Sequence, residues 1–408
     1  MSFPPLNLSD NAFAASKATT PTVGWVSRTR AFVAPLNTVD FALVGTMLLL
    51  LYPVFRIAHL PLRINFADIS VAFWFGTAGT GTFAAVLFSL IALPLSCTIL
   101  PFVRRLKEKK GLIVVALVAA AAMFSLLGPW LGLVVTVDAL TAGELLERCK
   151  GSLNKKLVDV LVPSAYLFCG VILLLAFNHA VPGIRNPGAY DEFLNHADWS
   201  LFHLNVASMV HSSAQHFPLW VFRMFEVIYY GMFLHITGAL IFLAAAKGRR
   251  AAVAMVRTIV ICNTIGLIVY ASMPAIGPWA NNPDYEASYP HALATYGTQE
   301  AIVQNAHMLW AHAPSTRTSR VDVTDAFISF PSLHVAGPLI AFWFIRGFRR
   351  TARAYFAVYL LCLVPSVLLL EWHYVVDLAA GFALACFAIW ISRVLSDGEM
   401  DSAAAAIE

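Results

Sequence analysis

Two histidines in the last quarter of the sequence stand beside residues that could handle a phosphate group. One of them, His334, ends the motif Pro331-Ser332-Leu333-His334, directly before an apolar run at 335–345. Proline suits the first turn of a helix, and the unpaired N–H groups and positive dipole end at such a terminus attract anions. Ser332 adds a hydroxyl donor, and His334 can carry a proton near neutral pH. The motif therefore predicts a phosphate-binding corner with an acid beside it.

The second histidine, His373, comes four residues before Asp377 at the start of another apolar run. This spacing places both side chains on one face of a helix. The carboxylate can then accept a hydrogen bond from one imidazole nitrogen and leave the other free to attack phosphorus. Each motif alone is more often a helix cap or a structural pair. Because the apolar stretch at 353–371 returns the chain to the same membrane face as His334, we predict one joint catalytic site.

The elements that must hold these residues are membrane helices. The 408-residue chain is 59% hydrophobic and 12% charged, whereas an ordinary soluble domain has about 25% charged residues. Stretches long enough to span a bilayer lie at 40–60, 82–101, 157–181, 218–246, 252–273, 330–346, 353–371 and 373–393. The stretch 112–140 is interrupted at Gly128-Pro129, so it is one broken span or a re-entrant hairpin. The predicted fold class is an all-α, polytopic membrane helical bundle.

Basic clusters give the predicted orientation of these spans. They lie at 104–110, 148–156, 247–250 and 346–353. The positive-inside rule assigns all four to the cytoplasm, which favours a hairpin at 112–140 because basic clusters lie on both sides of it. The connections at 182–217 and 274–329 then face outwards with both histidines. We predict an integral protein of the plasma or inner membrane whose site faces the periplasm or exterior, under a cap of short helices.

The predicted organisation has four parts. They are a cytoplasmic N-terminal tail at 1–35, an accessory transmembrane region at 36–156, a catalytic transmembrane core at 157–395 with outer loops 182–217 and 274–329, and a C-terminal tail at 396–408. The six cysteines lack zinc-type spacing, and neither a metal nor another cofactor is predicted. The net charge of +4 is spread over short loops, so it gives no support for a nucleic-acid partner.

The two motifs resemble signature blocks of the type 2 phosphatidic acid phosphatase superfamily, whose members share a helical core with vanadium haloperoxidases. Pro331 to His334 is similar to the block Pro-Ser-Gly-His, and His373 to Asp377 is similar to the block His-x-x-x-Asp. The resemblance covers about 157–395 and implies a six-helix core without a metal. It also implies that His373 forms a phosphohistidine, that Asp377 orients it, that His334 protonates the leaving oxygen and that Ser332 binds phosphate.

One subgroup of that superfamily, the inositol phosphorylceramide synthases, resembles the chain more closely. Its blocks Phe-Pro-Ser-Leu-His and His-Tyr-x-x-Asp are similar to 330–334 and 373–377, and its Pro/Trp motif is similar to 274–279. The acidic, Leu-Phe element of the subgroup weakly resembles 198–202. These similarities favour transfer of a phosphate-bearing head group to a lipid alcohol.

The phosphate-binding cations of the superfamily are missing from their usual positions. The first signature block, with its Lys and Arg-Pro, has no counterpart, and Val367 stands where the third block has Arg. Metal-free phosphoryl transfer normally needs such cations. Arg317 and Arg320, just ahead of the Ser332 corner, are the first candidates, although they could be solvated loop charges. Arg223 is the second, although it could form an ion pair with Glu226.

The predicted function is a metal-independent membrane phosphotransferase or phosphatase for a lipid-linked phosphate ester. Its substrate would be a phospholipid or a polyprenyl phosphate, and its acceptor a lipid alcohol or water. A polyprenyl-phosphate or phosphatidate phosphatase is the alternative within this class. A proton-coupled transporter with His373 and Asp377 as a relay is the alternative outside it, and an inactive scaffold is a third reading. A transporter should show paired broken spans, whereas only 112–140 is clearly interrupted.

Overall fold

The computed structural model describes residues 40–46, 159–171, 173–174, 188–281, 329–348 and 350–405. Within these ranges the regular secondary structure is entirely helical, which confirms the all-α class there. Several predicted features lie outside the described residues, namely the span at 82–101, the stretch 112–140, and both Arg317 and Arg320.

The described helices are labelled in chain order. They are α1 (residues 40–46), α2 (Asp159–Val171), α3 (Asp191–Phe202), α4 (Val206–Ala214), α5 (Leu219–Lys247), α6 (Arg249–Ser272), α7 (Leu333–Ile345), α8 (Arg350–Leu369) and α9 (Val375–Ala405). A short 3₁₀ turn, Pro278–Asn281, follows α6. Helices α5, α6 and α8 and the Val375–Leu395 part of α9 are long and apolar enough to cross a membrane, while α2 and α7 are shorter apolar helices. The four long helices agree with the spans predicted at 218–246, 252–273, 353–371 and 373–393. The span predicted at 330–346 corresponds to α7, which is only 13 residues long. Helix α9 continues into the predicted tail at 396–408.

A single glycine separates the first two long helices. Gly248 has φ 85°, follows Lys247 at the end of α5 and precedes Arg249 at the start of α6. Glycine adopts such a backbone conformation without the steric cost that a side chain would add. The two helices therefore run antiparallel and pack against each other.

Helix α7 lies at the centre of the bundle, because it packs against α5, α6, α8 and α9. Its inward positions carry small or branched apolar residues that are fully buried, namely Ala336, Ile340, Ala341 and Ile345. Helix α7 has only 13 residues, and its packing against four neighbouring helices keeps it in position. The first turn of α7, which carries the Ser332 motif, is thereby fixed relative to the other spans.

The two shortest helices after residue 188 cap one end of this bundle. Helix α3 packs against α9 and the 3₁₀ turn, and α4 packs against α3 and α8. Leu194 of α3 is buried with Ala275 and Tyr374 in a small apolar cluster. The sequence predicts short helices at 182–217, and the described part of that segment contains them.

A buried ion pair joins the N-terminal part of the chain to the core. The Arg257 Nε of α6 donates to the Asp40 Oδ1 of α1 at 2.7 Å, and a terminal guanidinium nitrogen donates to Oδ2 at 2.9 Å. Both side chains are nearly inaccessible. Breaking such a buried pair by removing one partner is strongly destabilising, so this contact ties α1 firmly to α6.

Candidate active site

The two predicted catalytic histidines meet at the start of α7 and α9. The His334 Nδ1 lies 3.0 Å from the His373 Nε2, and the Ser332 Oγ lies 3.3 Å from the same nitrogen. On the other side of the ring, the His373 Nδ1 lies 3.4 Å from the Asp377 Oδ2. The structure therefore brings together four residues from the two sequence motifs.

The close approach of α9 to the Ser332 corner depends on a glycine. The Ser332 N–H donates to the Asp377 carbonyl at 3.1 Å, and a Cβ at Gly381 would overlap the Ser332 carbonyl oxygen. Sequence reasoning missed Gly381. The signal was its spacing, since Gly381 lies four residues after Asp377 and therefore on the same face of α9.

The N-terminus of α7 offers unused backbone donors. Ser332 is its N-cap residue, but the Ser332 side chain makes no capping hydrogen bond to α7. Within the described ranges, no group accepts a hydrogen bond from the backbone N–H of Leu333, His334 or Val335. Such a terminus, with its positive dipole end, can bind an anion. The hydroxyl of Ser332 and the two imidazoles surround the same point.

The N-terminus of α9, in contrast, is already satisfied by carboxylates. The Tyr374 N–H donates to the Asp377 Oδ2 at 3.0 Å. The N–H groups of Val375 and Val376 donate to the two carboxylate oxygens of Asp198, each at 2.8 Å. Asp198 belongs to α3 and is only 2% exposed. The sequence motif at 198–202 gave no reason to expect this contact.

Ser329 is a second residue that the sequence motifs missed. Its hydroxyl donates to the Asp377 Oδ2, and its own N–H donates to the Ala275 carbonyl at 3.1 Å. Its backbone also makes a hydrogen bond with the His373 ring. Ser329 thus holds both members of the histidine–carboxylate pair, and its place just before the Ser332 motif was the only available signal.

Burial determines the protonation state of His373, which lies in the connection between α8 and α9. It lowers the pKa of this imidazole to about 3, although the hydrogen bond to the Ser329 backbone acts in the opposite direction. The ring is therefore neutral at physiological pH. With the Nδ1 facing Asp377, the proton is assigned to Nδ1, and Nε2 presents its lone pair to the Ser332 corner.

An aromatic stack forms one wall of the site. The Tyr229 ring of α5 stacks on the His334 ring with centroids 4.6 Å apart. The Trp372 ring stacks on the same Tyr229 ring with centroids 6.0 Å apart. Arg223 lies six residues before Tyr229 on the same helix, about 9 Å along its axis. Arg223 makes no hydrogen bond with His334 or His373, so the structure does not bring it into the histidine cluster.

The segment 274–279 packs against the connection between α8 and α9 that carries His373. The N–H groups of Ile276 and Gly277 donate to the Asp191 carboxylate of α3, with shortest distances of 2.9 and 2.8 Å. Gly277 has φ 126°, and a Cβ there would lie 2.6 Å from the Trp372 carbonyl oxygen. Burial raises the pKa of Asp191 to about 6, against the opposing effect of these hydrogen bonds. The resemblance found at 274–279 therefore corresponds to a segment that supports the site.

A further ion pair anchors the residue two positions before His373. The His211 Nδ1 of α4 lies 2.7 Å from the Glu371 Oε1, and Glu371 is 3% exposed. The hydrogen bond to Glu371 raises the pKa of His211 above its usual value. Glu371 also has a positive φ of 59°. The pair links α4 to the connection between α8 and α9 that carries His373.

These features define a helical membrane protein with a buried His–His–Asp–Ser site at the ends of two central helices. A family model described as the PAP2 superfamily matches residues 192–391 of the 408, just under half of the chain, and the matched region includes all four residues. Members of this superfamily are typically phosphatases, so the match suggests phosphatase or phosphotransferase activity on lipid phosphates.

No curated protein and no solved structure gives a significant match to the chain. Among the residues that the structure describes, no group of three or more His, Cys, Asp or Glu side chains could hold a metal ion.

Proposed function

We propose that this chain is an integral membrane enzyme of the PAP2 superfamily that transfers or hydrolyses a lipid-linked phosphate ester through a phosphohistidine. The observation that carries the proposal is the meeting of the His373 Nε2 with His334 and Ser332 at the open N-terminus of α7. That arrangement combines a neutral nucleophile, a second imidazole for proton transfer and an anion site. The superfamily match over the same residues supports it.

In the first step, the lone pair of the His373 Nε2 attacks phosphorus, and a new N–P bond forms. The bond between phosphorus and the leaving oxygen breaks, and the leaving oxygen takes a proton from His334. Asp377 stabilises the positive charge that develops on the His373 ring, because its carboxylate faces the Nδ1. The N–H groups at the start of α7 and the Ser332 hydroxyl hold the phosphoryl oxygens as charge builds on them.

In the second step, an alcohol or water attacks the phosphorus of the phosphohistidine. The acceptor oxygen loses its proton to His334, the N–P bond breaks, and its electron pair returns to the His373 Nε2. Both steps use the same two imidazoles, with the proton moving in opposite directions. The chain can then carry out transfer or hydrolysis with one set of residues.

The two imidazoles must separate to admit the substrate. An attacking nitrogen approaches phosphorus to about 3 to 3.5 Å before reaction, and the acid must reach the leaving oxygen beyond it. The His334 Nδ1 is only 3.0 Å from the His373 Nε2, so no phosphoryl group fits between them in this arrangement. We therefore assign this 3.0 Å contact to the resting enzyme, in which His334 occupies the place that the substrate takes in front of the His373 Nε2.

The cation that assists phosphate binding is proposed to come from outside the four-residue cluster. Arg223 lies on the same helix as Tyr229, which lines the site. Arg317 and Arg320 precede the Ser332 motif in the sequence. Arginine suits the multiple oxygens of a phosphate. Replacing each of the three singly with Gln, and measuring KM and kcat, will identify the residue that binds phosphate.

The substrate and the cellular setting are proposed from the sequence. A phospholipid or polyprenyl phosphate is the donor, and a lipid alcohol or water is the acceptor, with no metal or other cofactor. Transfer to a ceramide-like alcohol is favoured by the similarity to inositol phosphorylceramide synthases. The site would face the periplasm or exterior, and residues 157–395 would form the catalytic core beside the accessory region at 36–156.

The test is a direct assay of purified protein in mixed micelles. One arm offers phosphatidylinositol with a fluorescent ceramide and follows labelled product, and the other offers dioleoyl phosphatidic acid and follows released phosphate. Product in the first arm assigns a transferase, and release in the second assigns a phosphatase. An acid-labile, base-stable phosphoryl label on the wild type, absent from His373→Ala, is expected in either case. Equal activity of wild type and His373→Ala would exclude this mechanism.

A further inference from the structure

Helix α9 would be a second anion site if nothing covered its N-terminus. Its first N–H groups lie beside His373, and the positive end of its dipole points towards the same region as that of α7. A phosphate would then have two competing helix ends to bind. A phosphate bound at the N-terminus of α7 would face the His373 Nε2, whereas one bound at the N-terminus of α9 would not.

The cap of α9 comes from a distant part of the chain. Val375 and Val376 donate to Asp198, which lies 177 and 178 residues earlier in the sequence. The residue before the helix is Tyr374, whose side chain is not a helix-capping type. Asp377 accepts only from the Tyr374 N–H among these three donors. The fold thus supplies in space a capping carboxylate that the local sequence lacks.

Helix α3 holds this carboxylate in place through a second one. Asp191 lies seven residues before Asp198, two turns along the same face. It accepts from the N–H groups of Ile276 and Gly277 and from the hydroxyl of Tyr374. Both carboxylates are 2 to 3% exposed. Since each end of α3 is bonded to a segment of the site, the helix cannot shift without disturbing both.

We propose that Asp198 is a positioning residue for the nucleophile: it closes the N-terminus of α9 to anions and fixes the backbone that carries His373. The inference rests on the proposed function, because it assumes that His373 attacks phosphorus. Val375 is two residues from His373, so a displacement of the first turn of α9 moves the imidazole as well. A misplacement of about 1 Å can cost about a hundredfold in rate.

The burial of Asp198 explains why a carboxylate stands at this point. Burial raises the pKa of Asp198, and the hydrogen bonds from Val375 and Val376 oppose that effect. A buried polar group is costly unless its hydrogen bonds are made. An exposed cap would be replaceable by water, whereas a buried carboxylate with two donors leaves both N–H groups unpaired when it is removed.

The test compares Asp198→Ala and Asp198→Asn with the matched control Glu192→Gln. Glu192 lies on the same helix, but its side chain is 90% exposed and lies 3.9 Å from the exposed ring of His196. The assay is phosphate release from dioleoyl phosphatidic acid or head-group transfer, whichever the wild type performs. For Asp198→Ala we expect kcat to fall at least about tenfold without a rise in KM, because nucleophile placement and not substrate affinity is lost. Asp198→Asn should recover part of kcat, since its amide oxygen can still accept one N–H.

Inhibition by inorganic phosphate gives a readout that a purely structural role would not change. Opening the N-terminus of α9 should lower the inhibition constant of phosphate in Asp198→Ala, and leave it unchanged in Glu192→Gln. If Asp198→Ala fails to fold, Asp198→Asn is measured with hydrogen exchange at Val375 and Val376, where exchange should be faster than in wild type. If the wild type is active and Asp198→Ala is equally active, the inference is overturned. A rise in KM with an unchanged kcat overturns it as well. An inactive wild type instead contradicts the proposed function.

Discussion

Helices α7 and α9 bring two N-termini to the same candidate site, but the backbone N–H groups of the two termini are paired differently. In the described structure the first N–H groups of α7 have no acceptor, whereas those of α9 are taken by Asp198 and Asp377. Both termini carry the same partial positive charge. A helix N-terminus can therefore bind an anion only where tertiary contacts leave its backbone N–H groups without acceptors.

Each terminus also carries one histidine, and the two histidines experience different surroundings. His373 is 2% exposed and is held on one side by Asp377 and Ser329. His334 is partly buried and stacks on Tyr229 without a carboxylate partner among the described residues. A tightly held ring suits a nucleophile that must aim at phosphorus. A ring held by stacking can move to pass a proton.

The strongest test of the comparison removes the nucleophile and keeps the anion site. His373→Ala should reduce turnover by at least about a thousandfold, because it removes the nitrogen that attacks phosphorus in the proposed mechanism. Inorganic phosphate should still bind within several-fold of its wild-type affinity, because the donors of α7 are untouched. Phosphate titration followed by ³¹P NMR measures this. Loss of binding together with turnover would show that α7 is not the anion site.

A second test moves α9 away from α7. Gly381→Ala introduces a Cβ against the Ser332 carbonyl oxygen, so the two helices must separate, and we expect kcat to fall by about a hundredfold. Gly238→Ala is the matched control, because Gly238 is a helical glycine with no neighbouring atom within 4 Å of the added Cβ. The control should keep its activity and gain up to about 1 kcal/mol in unfolding free energy. Equal activity of the two variants would contradict the close approach.

A third change weakens the α7 site without removing the histidines. Ser332→Ala deletes a hydroxyl that faces the His373 Nε2 at 3.3 Å. A hydrogen bond to a charged group contributes about 1.5 to 3 kcal/mol, so kcat/KM should fall by about tenfold or more. Ser366→Ala serves as the control, since the buried Ser366 hydroxyl bonds only to the Leu363 carbonyl of its own helix. An unchanged kcat/KM for Ser332→Ala would remove Ser332 from phosphate binding.

The smallest effect concerns the connection that leads into α9. The pKa of His211 is raised by its hydrogen bond to Glu371, so the folded state binds the proton more tightly than the unfolded state. The stabilisation is complete below about pH 6.5 and disappears as the pH rises through the raised pKa. His211→Gln should lower Tm by roughly 2 °C at pH 6 and less at pH 9.

Exposed His196 provides the control for this pH dependence. Its ring is 72% exposed and lies 3.9 Å from Glu192, which is even more exposed, and such surface pairs contribute little. Thermal melts of His196→Gln should follow the wild type at both pH values. If the loss in Tm of His211→Gln relative to the wild type were larger at pH 9 than at pH 6, the proposed linkage would have the wrong sign.

Much of the site was readable from the sequence because its chemistry is local. The spacing of His373 and Asp377 correctly predicted that their side chains meet, although His373 lies two residues before α9. The proline was predicted in the first turn of α7, but that helix begins at Leu333, after the N-cap Ser332. The four long helices from 219 onwards were readable from apolar length, and the short helices α3 and α4 from the length of the connection between two apolar stretches. Spacing also favoured the meeting of the two histidines, because the returning helix brings His373 back to the end of the bundle where α7 begins.

The tertiary structure decided what spacing cannot express. Asp198 reaches α9 across 177 residues, and Ser329 shares the Asp377 carboxylate across 48. A carboxylate in a sequence does not show whether it will be buried against a helix end or exposed to water. The amino-acid sequence alone was therefore enough to predict the residues of the candidate site and the helices beside them. Only packing decided which helix end stays open to a phosphate, because that depends on which acceptors the fold brings to each set of N–H groups.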